Sequence, residues 1–329
     1  MRVFLLAAGR GKRFLPVTER IPKPLFPFLN VPVLRAHLAR LRRLGFPEAG
    51  VNLHHLGDQI ERHLREDARE LPKVRFFWEP RILGTAGALR NAARWLAGDD
   101  FLVVNADAAI EFDAAALLAA HHDSGRAATL LTVDNAEPDR YTPLQSEGDR
   151  ITGFGGVGPS PLLYTGVCIL SPRLLRRIPP GEASLVADLW APLLAEGREQ
   201  IGVVRHGGPF ADLGRPGDFL SASLEALSGA RPFPPGAGEL DVASQVLAVG
   251  PVSGAFARSS VLGRCRIGEN ARIADSAVWD GVEIGAGANL RRCLAAGGRV
   301  PDGSRFEDAL LWAAEGETVS AFPLEGAAA

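Results

Sequence analysis

Eight residues, Leu6-Ala7-Ala8-Gly9-Arg10-Gly11-Lys12-Arg13, carry most of the chemistry legible in this chain. An apolar run over residues 3–8 predicts a buried strand that breaks into a glycine-rich, basic loop ending at Thr18. Glycines at alternate positions let backbone N–H groups approach phosphate oxygens, and Lys12 and Arg13 add positive charge. Pro22-Lys23-Pro24 follows, and flanking prolines predict a lysine held in a stiff, extended segment. The chain has three lysines, Lys12, Lys23 and Lys73, against 33 arginines. In so arginine-rich a sequence, a lysine between prolines suits a compact point charge. Gly9-x-Gly11 also begins dinucleotide-binding loops, but Phe14 stands where a third glycine is expected, and G-x-x-x-x-G-K-[ST] is absent.

The elements that must position these residues alternate along the chain. Apolar runs at 3–8, 49–53, 74–78, 101–105 and 127–133 read as strands. Amphipathic stretches at 32–44, 56–70, 85–97 and 114–122 read as helices between them. Such alternation predicts an α/β, Rossmann-like domain with a mostly parallel sheet and ligands at the carboxyl ends of its strands. Asp107 falls at one such end, after Phe101-Leu102-Val103-Val104. Residues 140–212 carry more strands and fewer helices, which suits an inserted, mixed part. The stretch Ala230 to Gly238 is proline-rich and predicts a linker, giving a catalytic domain over 1–230, a lead-in over 231–250 and a second domain over 251–329. There Val261, Ile267 and Ile273 are six apart, and Val278, Ile284 and Leu290 follow after a five-residue step. A six-residue aliphatic repeat predicts a short parallel β-helix, with an irregular β-sandwich as the alternative. It contains no histidine, so it reads as a structural and assembly module in a homo-oligomer rather than as an acyltransferase.

Taken together, L-A-A-G-x-G-x-R, P-x-T and P-K-P resemble the signature of sugar-1-phosphate nucleotidylyltransferases, over about residues 1–230. Members join a nucleoside triphosphate to a sugar 1-phosphate and release pyrophosphate, and many carry a C-terminal left-handed β-helix. The resemblance implies nucleotide contacts from Ala7, Ala8, Gly9, Gly11 and Lys12, with Arg13 on the β- and γ-phosphates. It places Lys23 near the α-phosphate or the incoming sugar phosphate. Glu79 and the loop Gly84-Thr85-Ala86-Gly87 match its base-recognition segment, where a glycine lets the backbone lie against the base edge. Asn105 and Tyr164-Thr165-Gly166 match its sugar pocket, and Asp107 and Asp212 its magnesium ligands. Two carboxylates plus substrate oxygens suffice for magnesium. Ala106 stands where glycine is usual and Arg215 where threonine is usual. G-T-A-G is frequent in guanylyltransferases of mannose 1-phosphate, which implies GTP and mannose 1-phosphate as substrates. Related loops occur in uridylyltransferases, and that alternative stays open. One departure is plain: where many relatives have E-K-P holding the sugar phosphate, this chain has Phe154-Gly155-Gly156-Val157-Gly158. Either the sugar is held as in short uridylyltransferases of cell-wall recycling, or the protein is a silent regulatory homologue.

A net charge of −2 gives no support for a nucleic-acid partner. Arg35, Arg40, Arg42 and Arg43, on a stretch with Leu34, Leu38, Leu41 and Leu44, read as a solvated helix face. No apolar run reaches membrane-span length, and Met1 leads into strand residues without a signal-peptide pattern. With Cys168, Cys265 and Cys293 scattered and free of metal-ligand spacing, a cytoplasmic location is expected. The pairs His54-His55 and His121-His122 read as structural, because adjacent side chains diverge.

Overall fold

The computed structural model describes every residue except 157–160, 198–199, 231–233, 251, 253–254 and 326–329, and the side chain of Ala230. Val157, Gly158 and the first linker residues therefore lie outside the described residues. Contacts divide the chain into two units, residues 1–9 with 37–210 and residues 10–36 with 211–329. This division does not follow the expected boundary after residue 230. Residues 10–36 and the segment from 211 to 230 contribute their large side chains to the same unit as the C-terminal strands, as Phe26 against Trp279 illustrates.

The first unit is built on a nine-stranded sheet. Its strands are β1 (Arg2–Leu6), β2 (Glu48–Leu53), β3 (Lys73–Trp78), β4 (Phe101–Asn105), β5 (Ala128–Asp134), β6 (Leu144–Glu147), β7 (Arg150–Phe154), β8 (Leu162–Leu170) and β9 (Ile201–Arg205). They lie in the order β3-β2-β1-β4-β8-β5-β9-β7-β6. The first four are parallel neighbours, as expected. The sheet as a whole is mixed rather than mostly parallel, because β8 runs antiparallel between β4 and β5. Parallel pairing needs a long crossover, usually a helix, and among the described residues none lies between Asp134 and Leu162. Central strands are buried on both faces, so Val3, Phe4 and Leu5 are fully covered, as are Phe101, Leu102 and Val103.

Helix α1 (Val33–Arg43) buries Leu34, Leu38 and Leu41 at helical spacing. Leu44 lies beyond its end and is exposed, so it is no part of that stripe. Arg40 corrects the reading of a solvated face. Its guanidinium donates to the carbonyls of Ile110, at 3.0 Å, and Phe112, and stacks over the Phe112 ring. Helices α2 (Gly57–Glu66), α3 (Gly84–Asn91) and α4 (Ala114–Ser124) follow. Asp113 caps α4 by accepting from the N–H groups of Ala115 and Ala116.

In the second unit, α5 (Pro216–Glu225) precedes stacked short strands: β10 (Ser260–Leu262), β11 (Arg266–Ile267), β12 (Arg272–Ala274), β13 (Ala277–Val278), β14 (Glu283–Ile284), β15 (Asn289–Ala295), β16 (Arg299–Val300) and β17 (Arg305–Trp312). They pair in parallel in three stacks. Leu262 aligns with Val278, Ala295 and Leu311; Ile267 with Ile284 and Val300; Ile273 with Leu290 and Phe306. Rungs recur after 16 or 17 residues, as the N–H groups of Ser276 and Cys293 show by donating to Ser260 Oγ and Ser276 Oγ. The inward aliphatic position is thus Leu262, one residue after the Val261 read from the repeat. Val261, Ala277, Leu294 and Leu310 point the other way and are buried too, because α5 packs over β10, β13 and β15. The strand Ser320–Pro323 pairs antiparallel with β17.

Candidate active site

In the first unit, the ends of β1 and β4 are side by side, with Leu6 aligned to Asn105 and the N–H of Ala106 donating to Leu6 O at 3.1 Å. This parallel pair carries Ala7 to Gly9 and Asp107 at its carboxyl end, where α/β sheets bind ligands. Asp107 is half-buried. The turn around it is held from α1: His37 Nε2 lies 2.8 Å from Ala108 O, and Arg40 secures Ile110 and Phe112. Burial lowers the His37 pKa to about 4, so its ring is neutral at pH 7 and its Nε2–H donates to the carbonyl. His37 did not stand out in the sequence, and Arg40 reads there only as part of a solvated helix face. The available signal was a histidine and an arginine three apart on one helix.

Asn105 lies on Gly166. Gly166 sits at a bulge in β8 with φ of +83°, and a Cβ there would stand 2.7 Å from Asn105 Cγ and Nδ2. Asn105 Oδ1 is buried without a hydrogen-bond partner among the described residues. Of the four residues matched to a sugar pocket, these two come together with a free acceptor. The Thr165 hydroxyl donates to Leu131 O at 2.8 Å, and the Tyr164 hydroxyl donates to Cys168 Sγ at 3.2 Å. Both hydroxyls are thus engaged by the protein, and Tyr164 meets the Trp190 ring edge-on at 5.0 Å.

Glu79 is a buried junction. Its Oε1 accepts from Asn52 Nδ2 at 2.8 Å and its Oε2 from the Leu83 N–H at 2.9 Å. Asn52 Oδ1 in turn accepts from the Ala7 N–H at 2.7 Å. Burial raises the Glu79 carboxyl above the usual range, with those hydrogen bonds pulling the other way. Glu79 and the Ala7 N–H are therefore spent on linking the first loop to the Gly84 loop. Asn52 is a member of this link that sequence reasoning missed.

The Gly84-Thr85-Ala86-Gly87 loop makes its close approach to protein. A Cβ on Gly84, whose φ is +69°, would stand 2.5 Å from Ala183 O, and one on Gly87 2.5 Å from Gly181 O. The Ala86 N–H donates to Ala183 O, and the Leu185 N–H donates to Thr85 Oγ1 at 2.8 Å. Here tight backbone packing against residues 181–185 explains the glycines.

In the second unit, Gly11 has φ of +60° and opens the turn Lys12–Phe14. Its missing Cβ would meet Thr18 Cγ2 at 2.8 Å and Lys23 Cβ at 3.3 Å, and the Thr18 hydroxyl donates to Gly11 O. Gly11 thus makes room for the stem of Lys23, which is buried. Lys23 is not in an extended segment: it starts a 3₁₀ turn over Lys23–Leu25, closed by the Phe26 N–H on Lys23 O. Lys12 and Arg13 are exposed. Asp212 and Arg13 meet at Gly214. A Cβ on Gly214 would stand 2.7 Å from Arg13 Nη1 and 3.0 Å from both Asp212 carboxylate oxygens. Gly214 is the glycine of the Asp212-Leu213-Gly214 segment, two residues after the aspartate. Arg215 Nε is buried without a partner among the described residues.

Among the described residues, no group of three or more His, Cys, Asp or Glu side chains is arranged to hold a metal ion. Asp107, at the end of β4, and Asp212, beside Gly214, each offer a carboxylate of the kind a hard divalent cation takes as a ligand. The His121 ring lies between Asp100, at 3.2 Å, and Thr129 Oγ1, at 2.9 Å, in a structural role.

Residues 2–229 match the family model described as nucleotidyl transferase. The chain belongs to this family. It is 30% identical over 239 residues to the mannose-1-phosphate guanylyltransferase catalytic subunit beta of Danio rerio, across 70% of this chain and 66% of that protein. That is just under two thirds of the relative's length. It is 35% identical over 237 residues to the N-acetylmuramate alpha-1-phosphate uridylyltransferase of Neisseria meningitidis, across 70% of this chain and 99% of that one. Among solved structures, HddC from Yersinia pseudotuberculosis superposes with a TM-score of 0.59 at 25% identity, covering 68% of this chain and 99% of its own. No helix among the described residues is long and apolar enough to cross a membrane.

Proposed function

We propose that the protein transfers a nucleoside monophosphate from a nucleoside triphosphate to a sugar 1-phosphate, releasing pyrophosphate and forming a nucleotide sugar. The observation that carries this reading is the meeting of the Arg13 guanidinium and the Asp212 carboxylate at the bare Cα of Gly214. Transfer at a phosphate is mostly positioning and charge neutralisation. Arg13 is exposed and able to hold the β- and γ-phosphates bidentately as pyrophosphate leaves. Lys23 offers a fixed point charge for the α-phosphate or the sugar phosphate. Asp107 and Asp212 are the carboxylates that would hold magnesium, which supplies positive charge at the phosphate oxygens when bound. Asn105, with its free buried acceptor, would take a donor from the sugar. Glu79, Gly84 and Thr85 shape the nucleotide side through the backbone they hold.

GTP and mannose 1-phosphate are the substrates this reading favours, on the G-T-A-G loop and the likeness to guanylyltransferases. The second reading is UTP with an N-acetylated or other hexose 1-phosphate. It is favoured by the relative that matches over 99% of its own length and by uncharged Gly155 and Gly156 where relatives have E-K-P. Pyrophosphate release, measured over four nucleoside triphosphates and a panel of sugar 1-phosphates with magnesium, separates them. Release with no pair at all would sink both and favour a silent, nucleotide-sugar-binding homologue. The same reading takes the stacked rungs as a left-handed β-helix, the protein as a cytoplasmic homo-oligomer, and 1–230 as the limit of its sequence-level catalytic region.

A further inference from the structure

Each cationic or acidic group that the proposed function takes from the second unit stands close in sequence to a buried aromatic ring. Phe14 follows Arg13 directly, Phe26 comes three residues after Lys23, and Phe219 lies on α5 just beyond Asp212. These rings pack together with one from the C-terminal strands. Phe14 and Phe26 are 4.8 Å apart between ring centroids, Phe26 and Trp279 4.8 Å, and Phe219 and Trp279 5.6 Å. Trp279, directly after β13, is 4% exposed.

The segment these rings anchor carries Arg13 and Lys23 and also buries Val17 and Thr18. The backbone hydrogen bonds of residues 14–26 include the short turns Phe14 N–H to Gly11 O, Leu25 N–H to Pro22 O and Phe26 N–H to Lys23 O, and Phe26 O also accepts from the Val33 N–H at 3.1 Å. Such turns set local shape and leave the placement of the loop to side-chain packing. Further along, Asn30 Nδ2 donates to the carbonyls of Ala237, at 2.9 Å, and Leu262, at 3.1 Å, so the loop's far end is also tied to the C-terminal part. The Trp279 indole Nε1–H has no hydrogen-bond partner among the described residues. A buried unpaired donor costs stability, so this ring is kept for its surface and not for its N–H.

We infer that Trp279, the ring that follows β13, is a positioning residue for Arg13 and Lys23; the inference rests on the function proposed above. It goes beyond the expectation of a C-terminal domain that is only a structural and assembly module. A cut after residue 230 removes Trp279 and both carbonyls that hold Asn30.

The test uses the full chain with Trp279→Ala, Trp279→Phe and, as a control inside the same strands, Val300→Ala, whose side chain is fully buried. The chain's three lysines provide a readout independent of turnover. Lys23 is buried while the Lys73 side chain is 82% exposed, so acetylation by an N-hydroxysuccinimide ester, read by mass spectrometry, reports loop placement as the Lys23 to Lys73 ratio. Trp279→Ala should raise that ratio and lower kcat, each by about tenfold, with KM for the nucleotide little changed. Trp279→Phe should restore both, since it keeps a ring and discards the unpaired donor. Val300→Ala should lower the melting temperature and leave both near the parent. A folded Trp279→Ala chain with parental Lys23 protection overturns the inference, as does an equal kcat loss in Val300→Ala. If Trp279→Ala does not fold, Trp279→Leu takes its place with the same two outcomes. A parent without pyrophosphate release would refute the activity, while the acetylation ratio still decides the positioning.

Discussion

The side chain of Asn105 rests on the bare Cα of Gly166, two residues from strands that run antiparallel to each other. Gly166 meets two demands that no other residue meets: a φ of +83° and no atom where Asn105 lies. Gly166→Ala should cost about 1–3 kcal/mol of stability and displace Asn105. If Asn105 contacts the sugar, KM for the sugar 1-phosphate should rise at least about tenfold, with a smaller change for the nucleotide. Parental KM values for both substrates would remove Asn105 from the sugar site.

Asp107 and Asp212 are predicted to act through charge. Asp107→Asn and Asp212→Asn should each slow pyrophosphate release by about a hundredfold, near 3 kcal/mol, with melting temperatures close to the parent. Full turnover by either variant at saturating magnesium would exclude that carboxylate from the metal site.

Lys23 packs its stem against the bare Cα of Gly11. Its Cβ lies 3.3 Å from where a Gly11 side chain would begin, and the residue is 8% exposed. Lys23→Arg should therefore rescue little, with kcat lowered by about a hundredfold and nucleotide affinity nearly kept. An arginine variant as fast as the parent would show that charge alone matters there.

Both Glu79 oxygens accept hydrogen bonds, so Glu79→Gln places an amide donor against either Asn52 Nδ2 or the Leu83 N–H. One buried donor then faces another, at a cost of about 1–3 kcal/mol, measurable as a lower urea midpoint. Unchanged stability would mean that the link between Ala7 and Leu83 bears no strain.

His37 predicts a pH dependence with a definite sign. Its folded pKa, about 4, lies below the ordinary 6.5, mainly through burial, with Arg40 lowering it further and Asp107 raising it. Between those values the unfolded chain binds the proton more readily. The contribution is complete above pH 6.5 and is lost as pH falls toward 4, by on the order of 3 kcal/mol. His121 shifts in the same direction and Glu79 is raised, so the parent curve alone is composite. The difference between parent and His37→Gln, whose amide can still donate to Ala108 O, isolates the effect. Parallel stability curves from pH 7 to pH 4 would rule it out.

Much of this was legible in the residues themselves. Hydrophobic periodicity marked the four leading parallel strands and helices α1 to α4, because a strand buried on both faces must be apolar throughout and a surface helix must be apolar on one. The family resemblance singled out Gly11, Arg13, Lys23, Asp107 and Asp212, and the structure brings Arg13 and Asp212 to Gly214 and the Lys23 stem to Gly11. Tertiary structure alone decided which partners these residues meet. That β8 reverses between β4 and β5, that Glu79 and Thr85 spend their side chains on Asn52, Leu83 and Leu185, and that Arg40 leaves the solvated face for Phe112 all depend on groups far away in the chain. The joining of Phe14 and Phe26 to Trp279 is the largest such case. Periodicity reports which side of an element is covered but carries no record of what covers it. A ring near residue 26 and one at 279 become neighbours only when the whole chain buries its apolar surface at once.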